Sequence, residues 1–276
     1  LQPGVQRVRH ARRPQRDGHH HHRRYEAEGV PWQHIEYQDN GPVLDLIRGK
    51  RTCYEGGVRV PLIIRLPKGK AGQERRELVS SLDLFPTFLE MSGAEPVPDL
   101  PGSSLLPLLR GEKPKWRRYM PTEFHLHSAH NYYPQRAIRN DRYKLIENLQ
   151  PGEVDPGYEF TVNRFFGQQV LAALPKAPKK VQVAYALMKR PPKYQLYDLQ
   201  MDPYEFVNLA KDPAHRSAFD ELSTELTRWR RATHDPLLNQ VNVSRLKAEI
   251  DAIRQGNDFN KAKIGQWKYP EYFFKK

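Results

Sequence analysis

The sequence predicts an α/β chain: a buried strand and a helix in its first half, then a smaller α+β part built on an antiparallel sheet. Three observations predict it. Val58 to Pro67 is β-branched and apolar and lies between Gly56-Gly57 and Pro67-Lys68-Gly69, which is the pattern of a bounded strand. Arg136 to Ile146 holds two short alternating runs about Asn140-Asp141, a hairpin signal. Phe219, Leu222, Leu226 and Trp229 recur at three- and four-residue steps, which places them on one face of a helix.

A chain of 276 residues is long enough to bury a sizeable core. Its hydrophobic fraction of 38% and charged fraction of 28% exclude a disordered or fibrous chain. The net charge of +13 makes polyanions natural partners. No window approaches the roughly 18 to 20 apolar residues of a membrane-spanning helix, so no span is expected. Residues 1–24 carry seven arginines against Asp17 and have no apolar core, so no secretory signal is expected there either. Cys53 is the one cysteine, which excludes an intrachain disulfide and a Cys-rich zinc site.

Taken in order, residues 1–34 have neither a helical nor a strand period and read as a disordered basic arm, with a non-native reading frame as the alternative. The run His19 to His22 lies in that arm with nothing to support a metal, and it reads as a solvated tail. Residues 35–115 contain the buried strand, Leu62 to Leu66. A helix then begins at Asp83, whose carboxylate can accept from first-turn amides. Pro86 is tolerated in that turn, and Gly93 closes the far end. Leu84, Phe88 and Met91 are expected on its inward face. Residues 116–240 open with a strand from Tyr119 to His125, followed by the hairpin. Helical pieces between Phe160 and Met188 are broken at Pro175 and Pro178. A strand then runs from Tyr194 to Leu199, and a helix starts at Asp212-Pro213. Residues 241–276 hold a last amphipathic segment, Ser244 to Arg254, and an aromatic tail.

The chemistry-bearing block is Asp39-Asn40-Gly41-Pro42 followed by Gly49-Lys50-Arg51-Thr52-Cys53-Tyr54-Glu55-Gly56-Gly57. A carboxylate next to an amide oxygen offers two hard ligands suited to Ca²⁺ or Mg²⁺. Lys50, just before the Tyr-Glu-Gly-Gly turn, carries an ammonium that can neutralise an anion held at the same metal.

This block, with Ser81-Leu82-Asp83-Leu84-Phe85-Pro86-Thr87 and Gly102-Ser103-Ser104-Leu105-Leu106-Pro107-Leu108-Leu109, resembles the later part of the sulfatase family's catalytic domain. Three further motifs resemble the C-terminal region of N-sulfoglucosamine sulfohydrolases, the heparan N-sulfatases. They are Tyr133-Pro134-Gln135-Arg136-Ala137-Ile138-Arg139, Leu196-Tyr197-Asp198-Leu199 with Asp202-Pro203-Tyr204-Glu205, and Thr233-His234-Asp235-Pro236. The resemblance covers roughly Asp39 to Leu238. It implies part of an alkaline-phosphatase-like α/β domain followed by a small α+β domain with an antiparallel sheet. It also implies hydrolysis of sulfate ester or N-sulfate groups on a glycan such as heparan, or on a small sulfate ester. Ca²⁺ is the implied metal, and Asp39 and Asn40 match two of its ligands. Lys50 matches the catalytic basic residue facing the sulfate. His125, His127 and Arg136 fall where substrate contacts are expected.

Two departures bear on activity. The family's nucleophile, a formylglycine made from Cys or Ser in a Cys/Ser-x-Pro-x-Arg motif, has no precursor in these 276 residues. The aspartate pair that completes the metal site has no counterpart here either. The chain alone is therefore expected to be inactive. The alternative reading is a non-catalytic polyanion-binding or remnant protein. No specific nucleic-acid motif accompanies the basic charge.

Overall fold

The computed structural model describes residues 22–24, 34–38, 48–49, 51–66, 71–126, 132–163, 167–255, 268 and 271. In chain order the elements begin with strands β1 (His22–Arg24) and β2 (His34–Gln38), a short helix α1 (Glu55–Val58) and strand β3 (Leu62–Arg65). Helices α2 (Leu84–Ser92) and α3 (Leu106–Leu109) precede strands β4 (Met120–Phe124), β5 (Gln135–Arg139) and β6 (Tyr143–Asn148). Helices α4 (Pro156–Val162), α5 (Gly167–Ala173) and α6 (Lys179–Lys189) lead to strand β7 (Tyr194–Asp198), and helices α7 (Arg216–Ala232) and α8 (Gln240–Gln255) follow. The chain divides into two compact units. One holds residues 1–41 and 59–118, and the other holds residues 42–58 and 119–276.

In the first unit, β1, β2 and β3 pair antiparallel in that order. The pairing of β1 corrects the reading of residues 1–34 as wholly disordered. Main-chain hydrogen bonds join these strands, and such bonds leave no side-chain period to read in a three-residue segment. The strand expected to be fully buried, β3, instead alternates between half-buried and exposed, with Ile63 57% exposed. Two-sided burial demands layers on both faces, and a strand covered on one face only alternates.

The start of α2 is built more elaborately than a single cap. Ser80 accepts from the Leu82 amide, while Asp83 reaches back to accept from the Ser80 amide at 2.7 Å, closing a capping box over the 3-10 turn Ser81–Asp83. Asp83 is fully buried, also accepts from the Ser103 amide at 2.8 Å, and receives both arms of Arg117. Its carboxylate thus ties the helix entry to the following loop and does not cap the first turn of α2. Gly93 ends the helix in the left-handed region, as its lack of a Cβ permits. The inward residue of α2 is Thr87, whose hydroxyl donates to the Asp83 carbonyl and accepts from the Leu105 amide. Phe88, expected to face inward, is exposed, as are Leu82 and Phe85.

The second unit is organised by the antiparallel sheet β4-β5-β6-β7. Its hairpin turns where the sequence places it, because the Asn140 side-chain oxygen accepts from the Arg142 and Tyr143 amides and fixes the reversal. On one face Ile138, Leu145 and Leu196 pack against Leu222 and Leu226 of α7. On the other, Ala137, Ile146 and Tyr197 pack with Cys53, Tyr54 and Met188. Asp212 caps the turn that leads into α7, as its sequence position predicts. Helix α8 begins four residues before the expected Ser244. It inserts Val243, Leu246 and Ile250 beside Tyr132, Leu149 and Leu237, so it belongs to this core.

Among the described glycines of the first unit, Gly102 marks the tightest approach, since a Cβ there would lie 2.0 Å from the Leu82 carbonyl oxygen. Gly102→Ala must push that loop off the helix entry. The expected loss is about 1–3 kcal/mol of stability, read as a lower urea midpoint with an unchanged m-value.

Candidate functional site

The residues 48–58 that surround the predicted catalytic lysine belong to the second unit, and charge, amides and aromatic faces hold them there. Arg48 is almost wholly buried. It donates to the Glu205 carbonyl at 2.6 Å and to the Ala184 carbonyl at 3.4 Å, and its guanidinium carbon lies 3.9 Å from the Tyr54 ring centroid. Thr52 donates to the Gly49 carbonyl at 2.8 Å. The turn closes at Gly57, where a Cβ would meet the Gly49 and Thr52 carbonyl oxygens at 2.5 Å, so only glycine fits.

A chain of carboxamides lies beneath this loop. The Cys53 amide donates to Gln135 at 3.0 Å, Gln135 to Asn148 at 2.8 Å, and Asn148 to Gln195 at 3.1 Å. Gln195 in turn donates to the hydroxyls of Tyr54 and Tyr197. Beside it lies a buried ionic group. Glu55 accepts from Lys144 at 3.0 Å and from Arg139 at 2.6 Å, and its own amide donates to Glu205 at 2.6 Å. Lys144 sits 3.5 Å from the second oxygen of Glu205. Burial pushes the Glu205 carboxyl above its ordinary value, and Lys144 and Arg48 oppose that shift.

Arg51 (φ 80) and Glu205 (φ 58) occupy the left-handed region without being glycine. Such conformations cost of order 1 kcal/mol each and persist only where surrounding contacts over-determine them. Here Arg51 begins the described loop 51–58, and Glu205 accepts from the amide of Glu55 in that loop. Lys50 itself lies outside the described residues, as do the predicted metal ligands Asp39 and Asn40 and the predicted substrate contact His127. Asp39 and Asn40 supply oxygen donors whose hardness fits Ca²⁺, but two donors fall short of the six to eight that Ca²⁺ takes. Among the described residues no group of three His, Cys, Asp or Glu side chains could hold a metal.

Cys53 is no nucleophile. It is fully buried, and burial pushes its thiol up to about 11 despite the nearby Lys144 and Arg136. His125 is half-buried, 3.7 Å from Glu123. Burial and then Arg136 press its pKa down to about 4, so it is neutral at physiological pH.

Arg136 is a correction. The sequence offers it as a fork for a sugar sulfate or carboxylate, but its side chain is fully buried and grips Asp235 through two bonds of 2.9 and 2.8 Å. Asp235 also accepts from Arg230 at 2.7 Å and from the Leu237 amide at 3.0 Å. Burial alone would raise the Asp235 carboxyl, and the Arg136 and Arg230 forks hold it below the ordinary value. Arg136 therefore joins β5 to the turn after α7. The sequence motif His234-Asp235-Pro236 marked this corner without revealing the pairing.

Two outcomes follow. Removing one partner of the Arg136–Asp235 pair strands the other charge in the interior. Arg136→Ala or Asp235→Ala is therefore expected to cost about 3–5 kcal/mol in urea unfolding, with Arg136→Lys recovering only part because an ammonium cannot grip both oxygens. Asp155, buried at the start of α4, is pushed up from 3.8 to about 7 by burial, against the opposing bonds from Gly157 and Tyr158. Between those two pH values the folded chain holds a proton that the unfolded chain has released. Stability is thus fullest below about pH 4 for this group and falls by up to ~1 kcal/mol per unit as pH rises to about 7. Asp155→Asn flattens that slope in urea titrations run at several pH values.

Residues 47–159 match the sequence model of a family described as N-sulphoglucosamine sulphohydrolase, C-terminal. An ulvan-active sulfatase of Formosa agariphila is 32% identical over 197 residues, covering 69% of this chain and 36% of the relative. The N-sulphoglucosamine sulphohydrolase of Homo sapiens is 31% identical over 219 residues, covering 72% of this chain and 41% of the relative. A solved 2-O GAG sulfatase aligns with 67% of this chain and 32% of its own, at 25% identity and a TM-score of 0.49. The chain spans about a third to two fifths of the length of the curated relatives it matches. These sequence matches identify the chain as a C-terminal portion of a sulfatase-family protein.

Proposed function

We propose that this chain serves as the C-terminal part of a sulfatase that hydrolyses sulfate ester or N-sulfate groups of a glycan such as heparan. The observation that carries the reading is the match of residues 47–159 to the N-sulphoglucosamine sulphohydrolase C-terminal family, over the loop that the buried Glu55–Lys144–Glu205 group anchors. The named activity of the human relative, on N-sulphoglucosamine, and that of the Formosa enzymes, on ulvan, supply the substrate class.

In this reading Asp39 and Asn40 give oxygen ligands to Ca²⁺, which supplies Lewis-acid stabilisation to the sulfate when bound. Lys50 sets its ammonium against the same anion. His127 and His125, the latter as a neutral imidazole, hydrogen-bond the sugar. Catalysis by a formylglycine requires the Cys/Ser-x-Pro-x-Arg motif, and these 276 residues contain none.

The purified chain is expected to release no sulfate from N-sulfoglucosamine or from an aryl sulfate. Mixed or co-expressed with the nucleophile-bearing part of a relative, it is expected to support turnover that Lys50→Ala lowers by about a hundredfold. Sulfate release by the chain alone would overturn the inactivity. Equal rates with and without Lys50 would remove its role.

A further inference from the structure

Between Glu159 and Asp198 lie 38 residues that contain no aspartate or glutamate, while seven of them are lysine or arginine. The stretch includes α5, the 3-10 turn Leu174–Lys176 and α6, all within the second unit. Lys176, Lys179, Lys180, Lys189, Arg190 and Lys193 are exposed. Among the described residues none of these six forms an ion pair, whereas Arg136, Lys144 and Arg230 of the same unit all do. Arg190 donates to the Gly152 carbonyl at 3.1 Å, which orients its guanidinium without neutralising it. Unbalanced charge over so long a stretch gives this side of the unit a positive field that only an anionic partner relieves.

The faces of α6 sort the charge from the core. The helix has eleven residues and is therefore about 16 Å long, and Pro178 before it and Pro191-Pro192 after it prevent its extension. Ala184 and Met188 are buried, Met188 in the cluster that holds Cys53, Tyr54 and Tyr197. The opposite side carries Lys179, Val183, Ala186 and Arg190, at steps of four, three and four residues. Val183 is 42% exposed, and Ala186 is exposed as well. The outward stripe thus reads basic, apolar, apolar, basic, with Lys180 and Lys189 flanking it.

We propose that α6 docks this unit on an anionic phospholipid surface. The bases at its two ends meet the headgroup phosphates and carboxylates, and Val183 and Ala186 face the boundary with the acyl chains. Basic residues in this number on an amphipathic helix suit such a surface, because their long stems let the charged ends stay among the headgroups while the apolar positions press inward. Two features favour a lipid leaflet over other anions. A protein partner carries charges of both signs, and a face matched to it carries both too, whereas this one has a single sign. A linear polyanion leaves the apolar centre of the stripe without a use. No helix among the described residues is long and apolar enough to cross a membrane, so the contact is at the surface and is released by salt. The proposal stands apart from the sulfatase reading, since no residue of that reading lies on α6.

The test uses the full chain and sedimentation with vesicles, either of phosphatidylcholine alone or of phosphatidylcholine with a quarter phosphatidylserine. Binding is expected only to the second kind. Each exposed base removed is expected to cost up to about fivefold in partitioning. Replacing Lys179, Lys180, Lys189 and Arg190 together by glutamine is therefore expected to weaken binding at least about thirtyfold with an unchanged melting temperature. A second measurement covers the case in which that variant fails to fold. Cys53 is the one native cysteine and is buried, so a polarity-sensitive dye coupled to Val183→Cys reports on this face alone. Its emission is expected to shift to the blue on the anionic vesicles. Vesicle binding without that shift would assign the attraction to the arginine-rich residues 1–24 and overturn the role of α6. An equal shift with neutral vesicles would overturn the role of charge, and an equal shift with a soluble heparin fragment would overturn the choice of a lipid surface.

Discussion

The second unit depends on one ammonium placed between two buried carboxylates. Lys144 is 1% exposed and faces Glu55 at 3.0 Å and Glu205 at 3.5 Å, while the Glu55 amide binds Glu205 directly. Two buried carboxylates this close cannot both ionise without cations beside them, and Lys144 reaches both. Arg139 and Arg48 add to it, one on the Glu55 carboxylate and the other on the Glu205 carbonyl. Replacing such a group with apolar side chains of equal volume need not reduce stability. What apolar residues could not supply is the fixed register of residues 48–58 against β5, β6 and the turn at Glu205.

That register explains why the division of the chain does not follow its linear order. Residues 42–58 leave their sequence neighbours and join the sheet that begins more than sixty residues later. Local chain energetics cannot hold a strained Arg51 or a turn so tight that only Gly57 fits. Both persist because the carboxamides of Gln135, Asn148 and Gln195, together with the ionic group, meet the loop from below. An antiparallel sheet suits this task. Its face presents side chains of alternating direction from neighbouring strands, and three of them here carry amides in sequence.

Much of the local architecture was legible. The Asn140 turn, the Asp212 cap, the Gly93 terminus and the Leu222–Leu226 face are short-range features whose causes lie within a few residues of one another. What escaped was long-range. Arg136 and Asp235 are 99 residues apart, and Glu55 and Glu205 are 150 apart. No periodicity distinguishes a buried arginine from a solvated one when both sit on a hairpin. From sequence Arg136 therefore looks like a ligand fork, although Asp235 already occupies that fork. The inward face of α2 was misjudged for a related reason: hydrophobicity ranks Phe88 above Thr87, yet Thr87 alone can both satisfy the Asp83 carbonyl and hold the Leu105 amide. The resemblance of motifs proposes Asp39, Asn40, Lys50 and His127 as site residues without any account of what would hold them, because motifs record identity and not support.

The same reasoning bears on what a C-terminal region contributes to an enzyme of this family. An accessory domain would touch the catalytic part through an exposed, polar and exchangeable surface. Here the sheet of the second unit holds a buried loop through ionised side chains, and it does so on both sides of position 50. Any displacement of β6 must carry Lys144 away from Glu55 and Glu205, and an uncompensated carboxylate in the interior opposes that movement steeply. The loop and the sheet therefore move together or not at all.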